Sequence, residues 1–353
     1  MILDLFITWT LVGIILVVLV LPFMSKRVEH NLEAFLFIMG VLSVTVSGLW
    51  SSHLVADVLL DPIRIQHPIV EAVLLAGLLF RAFRDTIRRN IMRYEQILGP
   101  RFFLFSVVVG LGLLSSVITA IIAALVLSEI ITGLRLDKKT ETRLVIVTCF
   151  SIGLGAALTP VGEPLSTIAV AKLGGDPHHA DFLFLFQTLG LYILPGILAL
   201  GLFAMVFHTS DAPAAESLSE DRPETLADVF IRAAKVYLFV MALVLLGTGF
   251  QPVIDAYVIR LSSPVLYWIN MISAVLDNAT LAAAELSPKM DLKQIQVVLM
   301  GLLISGGMLI PGNIPNIIAA SKLRIGSRQW AVLGVPLGLV LMAAYFIVLF
   351  VLV

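Results

Sequence analysis

Two apolar segments of the chain carry the same proline-based interruption, and this repeated pattern constrains the fold more than any other feature. Residues 155–173 read GAALTPVGEPLSTIAVAKL, and residues 306–323 read GGMLIPGNIPNIIAASKL. Each places a P-x-x-x-P motif, with glycine and polar residues, in an apolar run long enough to cross a bilayer. Proline removes a backbone donor and clashes with the preceding helical turn. Both segments are therefore predicted to be membrane helices that unwind locally.

The similarity between the two segments extends beyond one motif. Pro160 and Pro164 align with Pro311 and Pro315, and after a shift of one residue the ending IAVAKL aligns with IAASKL. Paired spans interrupted by glycine and proline, one in each half of a membrane protein, are the sequence pattern that best indicates a transporter's binding site. The pattern thus predicts a site where the two breaks meet.

Composition supports a chain that resides in a membrane. Of 353 residues, 59% are hydrophobic and 13% are charged, whereas soluble domains carry about 25% charge. The first apolar run, 3–24, is too long for the core of a signal peptide and is predicted to be a retained span. The single cysteine excludes an internal disulfide. A net charge of −1 and the lack of any nucleic-acid motif predict no nucleic-acid partner, and no cofactor is expected.

Apolar runs of bilayer length predict the membrane spans. They are 3–24, 34–55, 67–83, 145–173, 181–207, 228–250, 295–320 and 329–353. Two further stretches, 102–134 and 263–288, are interrupted by small and polar residues. Basic residues flank 102–134 on both sides, and basic loops stay in the cytoplasm. This stretch is therefore predicted to be a re-entrant hairpin, and 263–288 a second one that enters from the outer face.

These predictions combine into an all-α polytopic membrane protein with two inverted-topology repeats, each containing a re-entrant helical hairpin and a broken transmembrane helix. The predicted organisation is 1–60, N-terminal scaffold spans; 61–207, repeat 1, with its hairpin and the broken span 145–173; 208–227, a polar cytoplasmic linker; and 228–353, repeat 2, with its hairpin and the broken span 295–320. The alternative is ten ordinary spans with an accidental resemblance.

Asp277 is the first candidate for chemistry. It lies within SAVLDNATLAAAEL, residues 273–286, surrounded by apolar residues. An aspartate at the bilayer centre costs roughly 2.5–3.5 kcal/mol on insertion scales, so such residues usually serve ion or proton traffic. Competition between a proton and a cation at one carboxylate is the physical basis of antiport. The alternative is an aspartate that caps a helix at the hairpin tip.

Other polar residues in the hairpins and breaks complete the predicted ion and proton site. Glu163 can bind a cation, relay a proton or hold the unwound backbone in place. Neutral oxygen atoms are suitable ligands for a hard cation such as sodium. The neutral candidates are Asn278, Thr119, Asn313, Asn316, Ser115, Ser273, Thr280 and Thr159. The hydroxyl residues have an alternative role in packing membrane helices. Glu129 is expected to be solvated at a span end, and Glu285 is a reserve candidate.

At SAVLDNATLAAAEL and the paired proline breaks, the chain resembles the ion transporter superfamily, and most closely its NhaD-type sodium/proton antiporters. The matching residues are the S-A-x-x-D-N pattern and GAALTPVGEP, within about 100–350. The resemblance implies inverted repeats, hairpin tips that meet the broken helices, and a homodimer with elevator-like motion. It also implies that Asp277 and Asn278, accompanied by Glu163, are sodium ligands.

The sequence departs from the family pattern in two places. The serine-asparagine-threonine signature of the carboxylate symporters is missing from both hairpins, and Thr119 stands where an acidic residue or asparagine is expected. These departures put a carboxylate substrate in doubt and leave the number of cation sites open.

The favoured functional hypothesis is exchange of sodium or lithium for protons across a prokaryotic inner membrane, with small inorganic ions as substrates and lipid as the surroundings. The alternative is a sodium-coupled symporter of a carboxylate or inorganic oxyanion, with the substrate held at helix N-termini. An intramembrane enzyme built on a pair of carboxyl groups is disfavoured because no serine–histidine or metal-ligand motif accompanies them. A channel is disfavoured because inverted broken spans indicate alternating access.

Overall fold

The structure is a computed structural model and describes residues 5–25, 27–28, 31–60, 74, 78, 93–94, 97–134, 137–207, 226–253, 256–257 and 261–352. These residues form helices and the turns that connect them, and no strand occurs among them. The predicted all-helical class is therefore confirmed for the described part of the chain. The predicted span 67–83, apart from residues 74 and 78, and residues 208–225 of the predicted linker lie outside the described residues.

The α-helices are α1 (Leu5–Met24), α2 (Leu32–Ser47), α3 (Ser52–Leu60), α4 (Pro100–Ile118), α5 (Ala120–Gly133), α6 (Lys138–Ala156), α7 (Pro164–Leu173), α8 (Phe184–Ala204), α9 (Leu226–Val253), α10 (Ser263–Ile269), α11 (Asn278–Glu285), α12 (Leu292–Gly306), α13 (Ile314–Leu323) and α14 (Ser327–Ile347). Short 3₁₀ segments occur at Met205–Phe207, Asn270–Ala274 and Ile310–Gly312, and a π-helical turn at Val348–Leu352.

Four helical segments within the described ranges are long and apolar enough to cross a membrane. They are Pro100–Ile118, Phe184–Phe207, Ala233–Val253 and Ser327–Val351. A bilayer core of about 30 Å needs about 20 helical residues. The architecture is that of an α-helical membrane protein, as the composition predicts.

Both proline segments interrupt a helix. The first break, residues 157–163, separates α6 from α7, and the second break, residues 307–313, separates α12 from α13. The residues before the second helices have almost the same extended backbone, with φ −155° and ψ 162° at Glu163 and φ −154° and ψ 145° at Asn313. A proline lies in the first turn of each following helix, where a missing amide hydrogen is tolerated. The predicted local unwinding is confirmed.

The two stretches predicted as hairpins each fold as two helices joined by a turn. The first helical pair is α4 and α5, and the chain reverses at Thr119, whose φ is 76°. The second helical pair is α10 and α11, joined by the 3₁₀ segment Asn270–Ala274 and residues 275–277. Within the first helical pair, α4 is long enough to span a membrane, whereas α5 has 14 residues.

The first helix of each pair packs against the helix that precedes a break. Helix α4 crosses α6 so closely that a Cβ atom on Gly155 would lie 1.7 Å from the carbonyl oxygen of Gly112. In the other half, α10 and the 3₁₀ segment pack against α12, and Ser305 Oγ donates to the carbonyl of Asn270 at 2.6 Å. Small residues permit this close approach of membrane helices.

The second helix of each pair packs across the two halves. Helix α5 packs against α13, which follows the second break, and α11 packs against α7, which follows the first. We call this arrangement the crossed packing. It brings both helical pairs and both breaks into one region.

Candidate functional site

The turn of each helical pair contacts a break. The backbone amide of Ala120 donates to the carbonyl of Gly162 at 2.8 Å, which joins the first turn to the first break. A Cβ atom on Gly312 would lie 2.6 Å from the carbonyl oxygen of Ser273 and 3.0 Å from Cα of Ala274, so the second turn touches the second break. Irregular backbone from four segments therefore meets in the protein interior, where it is tolerated at membrane depth.

Glu163 lies at the centre of this region. Its side chain is 4% exposed and faces the side chains of Asp277, Asn278 and Asn313. One carboxylate oxygen, Oε1, is buried without a hydrogen-bond partner among the described residues. A buried carboxyl group with an unused acceptor is costly unless a proton or a cation compensates it.

Asp277 supplies a second carboxyl group to the same region. It is partly buried, immediately precedes α11, and its backbone carbonyl accepts from the amide of Leu281 at 3.2 Å. Because it interacts with Glu163, simultaneous ionisation of both groups would bring two negative charges together. The pair thus requires positive charge or a proton when it is buried.

Three buried asparagines surround the two carboxyl groups or hold the backbone beside them. Asn278 and Asn313 face Glu163, and Asn278 Nδ2 forms no hydrogen bond of normal geometry with the described residues. Asn316 Nδ2 donates to the carbonyls of Gly306 and Leu309, both at 2.9 Å, and so fixes the unwound second break. Its Oδ1 atom is buried without a partner in the described ranges. Amide and carboxylate oxygens of this kind suit a hard cation.

The hydroxyl candidates bind backbone. Ser115 Oγ donates to the carbonyls of Gly112 and Ile152, Ser273 Oγ donates to Leu302, and Thr159 Oγ1 donates to Ser116. Thr119 Oγ1 accepts from the amide of Ile122 and caps α5. The backbone of Thr280 lies in α11, but its side chain lies outside the description. The contacts of these hydroxyls with backbone position the helices, as their alternative role predicts.

The expectation that Glu129 is solvated is wrong. Its side chain is 12% exposed and forms an ion pair with Lys322, which is 8% exposed. The two residues belong to α5 and α13, so the ion pair is part of the crossed packing. The sequence signal was Lys322 itself, a lysine retained at the end of an otherwise apolar helix.

Glu285 is also buried, at the end of α11, with 1% exposure. Among the described residues, no group of three or more His, Cys, Asp or Glu side chains comes together to hold a metal ion. The acid-rich part of the site thus consists of the Glu163–Asp277 pair, with amides around it.

The fold and this site define an α-helical membrane protein in which two interrupted helices and two helical turns surround a buried carboxyl group, Glu163, and a partly buried one, Asp277. Residues 8–352 match the family described as "Protein of unknown function (DUF1646)", and the chain belongs to this family. No curated protein matches the chain.

Proposed function

We propose that the chain is a secondary active transporter that exchanges sodium or lithium for protons across a prokaryotic inner membrane. The observation that supports this most directly is the Glu163 carboxyl group, buried beside Asp277 where the two breaks and the two turns meet. Intramembrane ionisable residues in such positions typically mark ion pathways or proton relays.

The proposal includes two inverted repeats with re-entrant hairpins. Repeat 1, residues 61–207, would include α4 to α8, and repeat 2, residues 228–353, would include α9 to α14. Three observations support this equivalence: the order of elements, the nearly equal backbone angles before α7 and α13, and the crossed packing of α5 and α11. A homodimer with elevator-like motion is what the resemblance adds to this proposal.

The exchange would operate by alternate occupancy of one site. With sodium bound, Asp277 and Glu163 are both ionised, and amide oxygens of Asn278 and Asn313 complete the oxygen ligands. Without sodium, protons neutralise the two carboxyl groups, because a buried pair of negative charges is unstable. Since the two occupancies exclude each other, sodium and protons move in opposite directions.

The second candidate is a sodium-coupled anion symporter. It is supported by the N-termini of α7 and α13, which both begin at the site. A helix N-terminus attracts anions through its unpaired amides and dipole. The Glu163 carboxylate at the start of α7 opposes an anion there, which favours exchange over symport.

The test is sodium-driven proton movement in proteoliposomes that contain the full chain and a pH-sensitive dye. Wild type is expected to release protons on sodium addition, and Asp277→Asn and Glu163→Gln are expected to lose this response. Asp57→Asn is the matched control, because Asp57 pairs with His53 away from the site. Wild-type exchange by Asp277→Asn eliminates the shared-carboxylate mechanism, whereas sodium-driven uptake of a labelled anion without proton movement favours the symporter.

A further inference from the structure

A second buried carboxyl group lies apart from the Glu163–Asp277 pair. Glu285 ends α11 and is 1% exposed, and neither of its carboxylate oxygens has a hydrogen-bond partner in the described part of the chain. Asp277 precedes the same helix at its other end, and a helix rises 1.5 Å per residue, so the two carboxyl groups are separated by most of the length of α11.

Asn270, at the start of the 3₁₀ segment, accompanies Glu285. It is fully buried, and its side chain interacts with the Glu285 carboxyl group. Asn270 Nδ2 donates to the carbonyl of Val298 at 3.4 Å, while Oδ1 has no partner within the described ranges. Asn270 is therefore the polar side chain beside Glu285, yet neither carboxylate oxygen nor Asn270 Oδ1 has a hydrogen bond of normal geometry with the described residues.

A proton on Glu285 resolves this arrangement. The neutral acid has an O–H group that can donate to Asn270 Oδ1, which gives this buried acceptor a donor. An ionised Glu285 would leave a buried charge uncompensated. The contacts thus favour the protonated acid.

The charged groups on neighbouring elements lie at the end of the second helical pair. Lys172, in the last turn of α7, donates from Nζ to the carbonyl of Leu286 at 3.2 Å, one residue beyond Glu285. Among the described side chains, the other titratable groups on elements that pack against α11 or its C-terminal segment are His178, whose Nε2 contacts the carbonyl of Met290; Lys289, Asp291 and Lys293, near the start of α12; and Lys235 and Tyr237 on α9, which contact Glu33 and the carbonyl of Leu59.

The other half shows the same contact in an ionised form. Lys322 occupies the place in α13 that Lys172 occupies in α7, as the endings IAASKL and IAVAKL show. Lys322 pairs with the carboxylate of Glu129 on α5, and Lys172 donates to the carbonyl of Leu286, the residue after Glu285. Equivalent lysines therefore lie beside an acidic residue in both halves.

We propose that Glu285 is a proton-binding site separate from the Glu163–Asp277 pair, with Asn270 as the acceptor of its O–H group. When the O–H bond breaks, the proton passes to water and the carboxylate accepts a hydrogen bond from the Lys172 ammonium group. The site is a property of the folded chain, and only its role as carrier of an exchanged proton rests on the proposed function.

Infrared difference spectroscopy of the purified full chain in lipid tests the site. A protonated carboxyl group gives a C=O band that shifts in D₂O, and Glu285→Gln should remove one such band at neutral pH. Asn270→Ala retains the acid but removes its acceptor, so the same band should move to higher wavenumber. Glu129→Gln is the matched control and should leave the band unchanged, since Glu129 is ion-paired. The proposal is overturned if folded Glu285→Gln loses no band, or if Asn270→Ala leaves the band in place.

A transport measurement then separates the two proposals. If wild type exchanges sodium for protons, Glu285→Gln should reduce the protons released per sodium ion while retaining sodium binding. An unchanged proton count in an exchanging Glu285→Gln variant eliminates the carrier role. If wild type shows no exchange but the band behaves as expected, the proposed function fails and the proton site stands.

Discussion

The crossing of α4 and α6 makes one methyl group a strong test of the packing beside the first break. In Gly155→Ala, the new Cβ atom would lie 1.7 Å from the carbonyl oxygen of Gly112 and 3.0 Å from Ser115 Oγ. Favourable contacts between non-bonded heavy atoms lie at about 3.5–4.0 Å. The two helices would therefore have to separate by about 2 Å, because the obstructing atom belongs to the backbone.

The expected loss of stability combines two effects. Overpacking of a well-packed interior typically costs about 1–3 kcal/mol. Separation also weakens two bonds between the helices, Ser115 Oγ to the carbonyl of Ile152 at 3.0 Å and Ser151 Oγ to that of Val108 at 2.9 Å. Hydrogen bonds between membrane helices average about 0.6 kcal/mol each. The free energy of unfolding should fall by roughly 2–4 kcal/mol.

Thermal unfolding of the purified protein in detergent, followed by the loss of the monodisperse species, measures this effect. Gly110→Ala is the matched control, because it introduces the same methyl group on α4 and has no atom within 4 Å of the new Cβ. Alanine is favoured over glycine in a helix by about 1 kcal/mol, so this variant should equal or exceed wild type. The reasoning is refuted if Gly155→Ala unfolds at the temperature of wild type or of Gly110→Ala.

Three further predictions concern a buried ion pair, an unwound segment and a helix start. Lys322→Ala should lower the free energy of unfolding by about 3–5 kcal/mol, because it leaves the Glu129 carboxylate buried without a cation. In thermal unfolding, the double variant Lys322→Met, Glu129→Leu should recover most of this loss. If Lys322→Ala and the double variant lose the same stability, the pairing is refuted. Asn316→Ala should cost about 1–3 kcal/mol, since it removes two buried bonds to the second break; an unchanged unfolding temperature would contradict that role. Hydrogen bonding by the side chain of Thr140, aided by backbone amides, holds the pKa of Asp137 below its ordinary value. Asp137 is the N-cap of α6, where its side chain accepts from the amides of Lys139 and Thr140. The stability that this ionised cap contributes is therefore present above the pKa of the unfolded carboxyl and is lost as pH falls through the lower, folded pKa. Asp137→Asn should retain the cap without this pH dependence, and parallel pH profiles of stability for the two proteins would contradict the assignment.

Local features of the fold were predictable because they depend on residues close in sequence. The prolines at 160, 164, 311 and 315 fix where the two helices unwind, since proline acts on its own helical turn. The composition likewise determines the membrane class. These predictions need no knowledge of which helix packs against which.

Features that depend on distant packing were less accessible. Glu129 stands near a predicted span end and was expected to meet solvent, but Lys322 from the other half covers it. The hydroxyls of Ser115 and Thr159 look like ligands in sequence, yet they donate to backbone of neighbouring segments. The proximity of Glu163 to Asp277 likewise depends on the crossed packing, and in the sequence it was implied only by the family resemblance and not by any local pattern.

The crossed packing also has a consequence for how the chain matures. Helix α7 leaves the ribosome long before α11 exists to cover it, and α5 emerges well ahead of α13. Glu129 on α5 therefore remains without its partner Lys322 in the insertion machinery or the lipid until α13 has been synthesised. A gene cut between residues 208 and 225 should accordingly yield two fragments that accumulate only when both are produced in the same cell.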